Sequence, residues 1–165
     1  MSESIVTAPA GETWFNIVRE FDAPRALIYR CYTTPEHMAH FWGPHGSRLT
    51  VCDIDLKVGG VWRVRWEFPD GRSWGYSSVY TAIVPDETLD YRDAPYDWAG
   101  GFEGLPPTEI DSTIALAGDD RRTIVTVTVR WTSVAARDGA IQQGFTGMVD
   151  IGHQRLTEYL ATLSE

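Results

Sequence analysis

Aromatic side chains are the most distinctive chemical feature of this sequence, which contains seven tryptophans among 165 residues. An apolar cavity with a few polar groups is the usual form of a small-molecule site, and Trp and Tyr supply both kinds of surface. We interpret Trp131 as a core residue, whereas core packing and ligand contact are about equally compatible with Trp62 and Trp66. We predict these ligand-binding residues: Trp42, Trp62, Trp66, Tyr76, Tyr80, Trp98, Phe102, Phe145, Met148 and Gly152.

Titratable residues give a weaker signal. His37 and His40 lie three apart and can share a helix face, but a tetrahedral metal site needs further ligands, so we predict no metal and no cofactor. Asp53 and Asp55 share a strand face, as an acid–base pair would, yet a position facing solvent accounts for both. The sequence contains no motif for a catalytic nucleophile or for phosphate binding. Whether the protein is an enzyme therefore stays open.

The composition excludes several other classes of function. The formal charge of −9 and the pI of about 4.8 disfavour binding to nucleic acid. No apolar run is long enough to insert into a membrane, and residues 1–12 do not resemble a signal peptide. We expect a cytoplasmic monomer or homodimer in which Cys31 and Cys52 are reduced. Residues 1–12 are predicted to be a disordered tail, and residues 13–165 a single domain.

Alternating apolar and polar residues predict the strands that must position these side chains. The clearest strand is 61–68, where Trp62, Val64 and Trp66 share one face. Two short helices, 24–33 and 35–42, follow the first strand. Residues 93–109 are rich in Gly and Pro and predict a long loop that gates the cavity. Strands are predicted at 13–21, 48–56, 61–68, 73–84, 88–92, 110–116 and 123–131.

The last predicted element is a long amphipathic helix over residues 140–163. Apolar residues such as Phe145, Leu156 and Leu160 recur on one face of this segment. Glycines within the helix each cost about 1 kcal/mol relative to Ala, and Gly152 projects from the middle of the apolar face. The element order predicts an α+β meander packed against this helix.

Several short motifs resemble a known family. Phe21 opens the motif FDAPR, residues 34–37 read TPEH before FWGP, and residues 55–62 read DLKVGGVW. Together with the GM pair at 147–148, these motifs are similar to bacterial proteins of the SRPBCC (START-like) superfamily, in the branch that resembles the activator of heat-shock-protein-90 ATPase. The resemblance implies a helix-grip fold, in which a curved antiparallel β-sheet wraps around a long C-terminal α-helix, with two short helices after strand 1 and a cavity between sheet and helix.

The chain departs from the family pattern near Gly152. Relatives continue GM with x-x-G-W. In one alignment with the family pattern, Gly152 replaces the Trp. The loss of the Trp side chain then enlarges the cavity, or a neighbouring side chain fills the space. In the other alignment, shifted by one residue, Gly152 matches the glycine and His153 replaces the Trp.

The resemblance leaves three functional hypotheses. The first is that the cavity binds a small hydrophobic molecule, lipid-like or aromatic. The second is a cyclase, aromatase or hydrolase acting on a polyketide-like or aromatic compound, which requires titratable groups in the cavity. The third is a module that interacts with a chaperone.

Overall fold

A computed structural model describes residues 3–94 and 110–163. In this part of the chain, eight strands form one antiparallel sheet, and four helices accompany it. The elements are β1 (Ile5–Thr7), β2 (Trp14–Phe21), α1 (Arg25–Thr33), α2 (Pro35–Met38), β3 (Arg48–Ile54), β4 (Val61–Glu67), β5 (Ser73–Val84), β6 (Thr88–Ala94), β7 (Asp111–Gly118), β8 (Thr123–Arg130), α3 (Val134–Gln142) and α4 (Phe145–Leu163).

The sheet has the strand order β1-β2-β8-β7-β6-β5-β4-β3. Strands β3 to β8 form the predicted meander, and β2 joins its far edge by pairing with β8, in the register Ile17 opposite Val127. Register irregularities lie between Leu49 and Val51 and between Tyr80 and Ala82. Such bulges bend strands and increase twist. The curved sheet and its C-terminal helix confirm the predicted α+β helix-grip fold.

The core lies where the inner face of the sheet meets the helices. Inward residues of β2 and β8 alternate with more exposed neighbours, as predicted. Phe15, Val125 and Leu156 of α4 are essentially inaccessible to solvent. Removing such apolar surface from water contributes about 25 cal/mol per Å² to stability. The helix α4 is therefore fixed against the sheet by apolar burial. Of the helices described, none is long and apolar enough to cross a membrane.

The N-terminal segment differs from the disordered tail expected for residues 1–12. Ile5–Thr7 forms the edge strand β1, with Ile5 opposite Val18 of β2. Its side chains are exposed, so backbone pairing with β2 is what mainly holds the strand. Because neither face of the strand is buried, the sequence shows no alternation of apolar and polar residues there. Buried Arg137 of α3 also donates hydrogen bonds to the carbonyls of Pro9 and Trp14, at 2.6 and 3.0 Å.

The long helix predicted over 140–163 is two helices, and this prediction was wrong at its N-terminal end. Helix α3 ends at Gln142, and α4 begins at Phe145. Gly144 between them has a φ of 91°, in the left-handed region that favours glycine and ends helices. The glycine thus acts as a helix terminator.

The region after α1 also departs from the prediction. Helix α2 ends at Met38, so Trp42 lies in a loop beyond it. The second helix was predicted to continue to residue 42. Position 43 has a φ of 113°, and a Cβ on Gly43 would overlap the indole of Trp66. Only glycine allows the loop to pass this close to β4.

Candidate ligand-binding cavity

A cavity of about 670 Å³ lies between the concave face of the sheet and helices α3 and α4. Its lining is mostly aromatic and aliphatic, with polar groups at a few positions. The lining residues are Tyr32, Phe41, Trp42, Gly43, Pro44, Trp66, Trp74, Tyr76, Tyr91, Asp93, Ile110, Ser112, Ile114, Val127, Val129, Trp131, Ala135, Ala136, Gly139, Ala140, Gln143, Gly144, Phe145, Met148, Val149, Gly152 and His153.

One side of the cavity is an aromatic cluster on β4 and β5. The rings of Trp66 and Trp74 stack with centroids 5.1 Å apart, and Tyr76 lies 5.5 Å from Trp66. Alternation along β5 places Trp74 and Tyr76 on the same face of the strand. Trp74 is 50% exposed and Met148, also in the lining, is 38% exposed, so the cavity reaches the surface beside these two residues.

The loop after α2 forms part of the lining and is fixed by hydrogen bonds from two directions. The indole nitrogen of Trp66 donates to the carbonyl of Trp42 at 2.7 Å. The Arg155 guanidinium donates to the carbonyls of Gly43 and Pro44, at 2.7 and 3.2 Å. Trp42 also donates from its indole nitrogen to the Tyr76 hydroxyl at 3.1 Å. These contacts hold the loop between β4 and α4.

The opposite side of the cavity comes from the junction of α3 and α4. Phe145, the first residue of α4, packs edge-on against Phe15 and Trp131, with centroid distances of 5.6 and 5.5 Å. Further along the same helix, Gly152 lines the cavity. A Cβ on Gly152 would meet only the Phe41 carbonyl oxygen, at an ordinary contact distance of 3.7 Å. The position therefore has room for a side chain.

Asp93, near the end of β6, places a carboxyl group in this apolar lining. Ser78 of the neighbouring strand donates a hydrogen bond to it at 3.2 Å. Burial raises the pKa of Asp93 to about 6, the Ser78 hydrogen bond opposes this effect, and nearby Asp111 adds to it. Burial and Asp93 also raise the pKa of Tyr76 well above its usual value. The Tyr76 phenol therefore stays neutral, and Asp93 titrates near neutral pH.

His153 is the second titratable group of the lining. It is 2% exposed, and its Nδ1 lies 2.9 Å from the Ser4 hydroxyl. Its Nε2 is buried without a hydrogen-bond partner among the described residues. Burial lowers the pKa of His153 to about 4, with a further lowering from Arg19 and an opposing effect of Asp150. The imidazole is consequently neutral at physiological pH.

The structure brings most of the predicted ligand-binding residues together around one cavity. Trp62 and Tyr80 are exceptions, because they are not among its lining residues. Their rings stack 6.0 Å apart, and Trp62 also contacts Trp42 at 5.0 Å. These two side chains fill the interior behind the cavity. Trp98 and Phe102 lie outside the described residues, as does the predicted gating loop apart from Asp93 and Ala94. The predicted residues in the lining are Trp42, Trp66, Tyr76, Phe145, Met148 and Gly152.

Sequence reasoning missed three prominent lining residues. Trp74 shares its strand parity with Tyr76, so alternation could have indicated it. Asp93 was predicted to lie in the loop 93–109, yet it belongs to β6, has the same strand parity as buried Leu89 and Tyr91, and lines the cavity. Trp131 packs against the core, as interpreted, and it also lines the cavity directly after β8. In each case the alternation of side chains along the strand could have placed the residue on the inward face of the sheet.

The remaining titratable candidates lie away from the cavity lining. Asp53 and Asp55 are exposed on and beyond β3, consistent with their predicted solvent-facing position. His37 lies 2.6 Å from the Tyr159 hydroxyl through its Nδ1, and His40 stacks on the same ring at 4.2 Å. Among the described residues, no group of His, Cys, Asp and Glu could hold a metal ion.

The cysteines are both free thiols. Burial raises the pKa of Cys31 and that of Cys52 to about 11. Both thiols are therefore protonated at neutral pH, and neither has the thiolate character of a nucleophile.

The curved sheet, the C-terminal helix and the apolar cavity between them together define a helix-grip domain. The family model described as "Activator of Hsp90 ATPase homolog 1-like protein" matches residues 22–163, and the chain belongs to this family. The resemblance noted in the sequence motifs is thereby confirmed. The sequence matches no curated protein.

Solved structures of bacterial proteins share the fold. A crystal structure from Nitrosomonas europaea has a TM-score of 0.80 at 20% identity, covering 95% of this chain and 99% of that one. A Rhodobacter sphaeroides protein has a TM-score of 0.80 at 21% identity, covering 96% and 99%. An AHSA1-like protein from Aeromonas hydrophila has a TM-score of 0.67 at 15% identity, covering 90% and 94%. At these identities the likeness concerns the fold alone.

Proposed function

We propose that the protein binds a small, mainly apolar molecule in the cavity between the sheet and helices α3 and α4. The observation that carries this proposal is the volume of about 670 Å³ inside an aromatic and aliphatic lining. Ligand pockets for small molecules typically measure about 300–1,000 Å³ and combine apolar walls with a few polar groups. The aromatic stack of Trp66 and Trp74 offers flat surfaces to an aromatic or polyene body.

The test uses the variant Gly152→Trp and a neutral fluorescent probe, N-phenyl-1-naphthylamine. A Trp side chain buries about 150–250 Å² of surface, so at position 152 it occupies space that the probe needs. The matched control is Gly147→Trp, because Gly147 lies on the same helix, is exposed and has open space where a Cβ would project. Both substitutions replace a helical glycine and are expected to preserve folding.

We expect the wild type and Gly147→Trp to enhance probe fluorescence with similar affinity. Gly152→Trp should weaken binding at least about tenfold, which corresponds to losing about 1.4 kcal/mol of contact. Circular dichroism and the midpoint of thermal unfolding establish that both variants are folded. Equal affinity of folded Gly152→Trp and wild type would contradict binding in this cavity.

A second candidate function is an enzyme of the cyclase, aromatase or hydrolase type. Asp93 supports it, because a carboxyl group with a pKa of about 6 in an apolar site can both donate and accept a proton near neutral pH. Tyr76 and Tyr91 add hydroxyl groups to the same lining. Turnover of an aromatic ester or polyketide-like compound by wild type but not by Asp93→Asn would establish this function. Interaction with a chaperone stays a prediction from the family resemblance.

A further inference from the structure

The hydroxyl group of Tyr76 brings a hydrogen-bond donor to the cavity wall. Trp42 donates from its indole nitrogen to the Tyr76 oxygen at 3.1 Å and so occupies one of its two lone pairs. Among residues 3–94 and 110–163, none accepts a hydrogen bond from Tyr76 in return. Because Tyr76 is one of the lining residues, its proton is available to a molecule in the cavity.

This donor is neutral and fixed in position. Burial raises the pKa of Tyr76 well above its usual value, Asp93 adds to this effect, and the hydrogen bond from Trp42 opposes it. The phenol therefore keeps its proton at every physiological pH. Its partner Trp42 is itself held in place, because the Trp66 indole donates to the Trp42 carbonyl at 2.7 Å.

The rings beside Tyr76 suit a flat ligand. Trp66 and Trp74 stack with an interplanar angle of 14°, and their centroids lie 5.5 and 5.7 Å from that of Tyr76. A flat molecule that packs against these rings lies beside Tyr76. An oxygen atom at its edge can accept the phenol proton, whereas a pure hydrocarbon leaves a desolvated donor unpaired, which costs free energy.

We propose that the Tyr76 hydroxyl donates a hydrogen bond to the ligand, and that the cavity selects flat aromatic molecules with a neutral oxygen acceptor, such as a ketone or a quinone, over hydrocarbons of the same shape. This inference rests on the proposed function and specifies the chemical class of the ligand. Tyr76 is its specificity-determining residue.

The test compares 2-acetylnaphthalene with 2-isopropenylnaphthalene, which has the same shape but carries C=CH2 in place of C=O. Displacement of N-phenyl-1-naphthylamine gives the dissociation constant of each compound for the wild type and for Tyr76→Phe. The ratio of the two constants is compared between proteins, so the different hydrophobicity of the compounds cancels. The control variant is Tyr159→Phe, which removes a hydroxyl group on α4 that bonds to His37 outside the lining.

We expect Tyr76→Phe to shift this ratio against the ketone by about two- to tenfold, the range for one neutral hydrogen bond. Tyr159→Phe should leave the ratio as in the wild type. Infrared spectra of the bound ketone give a second measurement. The carbonyl stretch should lie at lower frequency in the wild type than in hydrocarbon solvent, and this lowering should be lost in Tyr76→Phe.

Several results would overturn the inference. An equal ratio in the wild type and Tyr76→Phe, an equal shift in Tyr159→Phe, or a failure of both compounds to displace the probe would refute it, while binding in the cavity stands. If the naphthylamine probe itself does not bind, the proposed function fails as well. A carbonyl stretch in the wild type equal to that in hydrocarbon solvent refutes the inference without any variant, so the test stays decisive should Tyr76→Phe fold poorly.

Discussion

Asp93 and His153 should change the folding stability in opposite directions as the pH falls. Burial raises the pKa of Asp93 to about 6, compared with about 3.9 in the unfolded chain. Between about pH 6 and about pH 4, the folded state therefore binds a proton that the unfolded state does not. Asp93 alone makes the protein more stable as the pH falls through this window.

His153 has the opposite effect. Burial lowers its pKa to about 4, compared with about 6.5 in the unfolded chain. Between about pH 6.5 and about pH 4, the unfolded state binds the additional proton. His153 alone therefore contributes stability above about pH 6.5 that is lost as the pH falls.

The two effects oppose each other and therefore partly cancel in the wild type. A pKa change of one unit corresponds to about 1.4 kcal/mol, so each group accounts for up to about 3 kcal/mol. Because Asp93 is partly exposed, solvent screening reduces its contribution to the free energy of unfolding to about 1–2 kcal/mol. Asp93→Asn should be more stable than wild type by about 1–2 kcal/mol at pH 7, and this advantage should disappear by about pH 4.

His153→Gln should give the reverse slope. At pH 7 the substitution should lower the free energy of unfolding by about 1–2 kcal/mol, because the hydrogen bond to Ser4 and packing contacts are lost. Near pH 4 this destabilisation should shrink or change sign. Urea unfolding at a series of pH values measures both differences. Exposed Asp53→Asn is the control, with a change within about 0.5 kcal/mol. A difference between Asp93→Asn and wild type that is independent of pH would refute the assignment of a perturbed Asp93.

Two further predictions concern the helix junction and the cavity opening. Gly144→Ala should lower the free energy of unfolding by about 1 kcal/mol, because its positive φ strains an L-residue, whereas Gly147→Ala should raise it by a similar amount within α4. Thermal unfolding of the pair tests this, and equal shifts would contradict the helix break. Trp74→Ala should weaken binding of N-phenyl-1-naphthylamine several-fold while changing stability by about 1 kcal/mol, since the ring is half exposed and stacks on Trp66. Fluorescence titration measures the affinity, and unchanged binding would exclude Trp74 from the site.

The strands were predictable because each long strand buries one face and so carries a period of two. This signal identified Trp62 and Trp66 as inward-facing, and the family motifs supplied the helix-grip arrangement. Periodicity reports which face a residue occupies, but not how far it lies along a curved sheet. For this reason it could not separate Trp62, which packs behind the cavity, from Trp66, which lines it.

The predictions for other features were wrong for local reasons. The edge strand β1 lacks a buried face, so its sequence resembles a tail. Gly144 was interpreted as an unfavourable residue within one helix, although a glycine with positive φ ends a helix without strain. Asp93 was assigned to a loop because the glycines and prolines that follow dominate the local composition. With Asp93 placed in the loop, no acidic side chain was predicted in the cavity lining.

The most direct test of ligand binding in the cavity is an NMR titration of the tryptophan indole resonances with N-phenyl-1-naphthylamine. Four of the seven tryptophans, Trp42, Trp66, Trp74 and Trp131, line the cavity, whereas Trp14 faces away on β2. We expect saturable shifts of the four lining indoles, an unmoved Trp14, and loss of these shifts in Gly152→Trp. Lining indoles that do not move, or that move no more than Trp14, would contradict binding in the cavity.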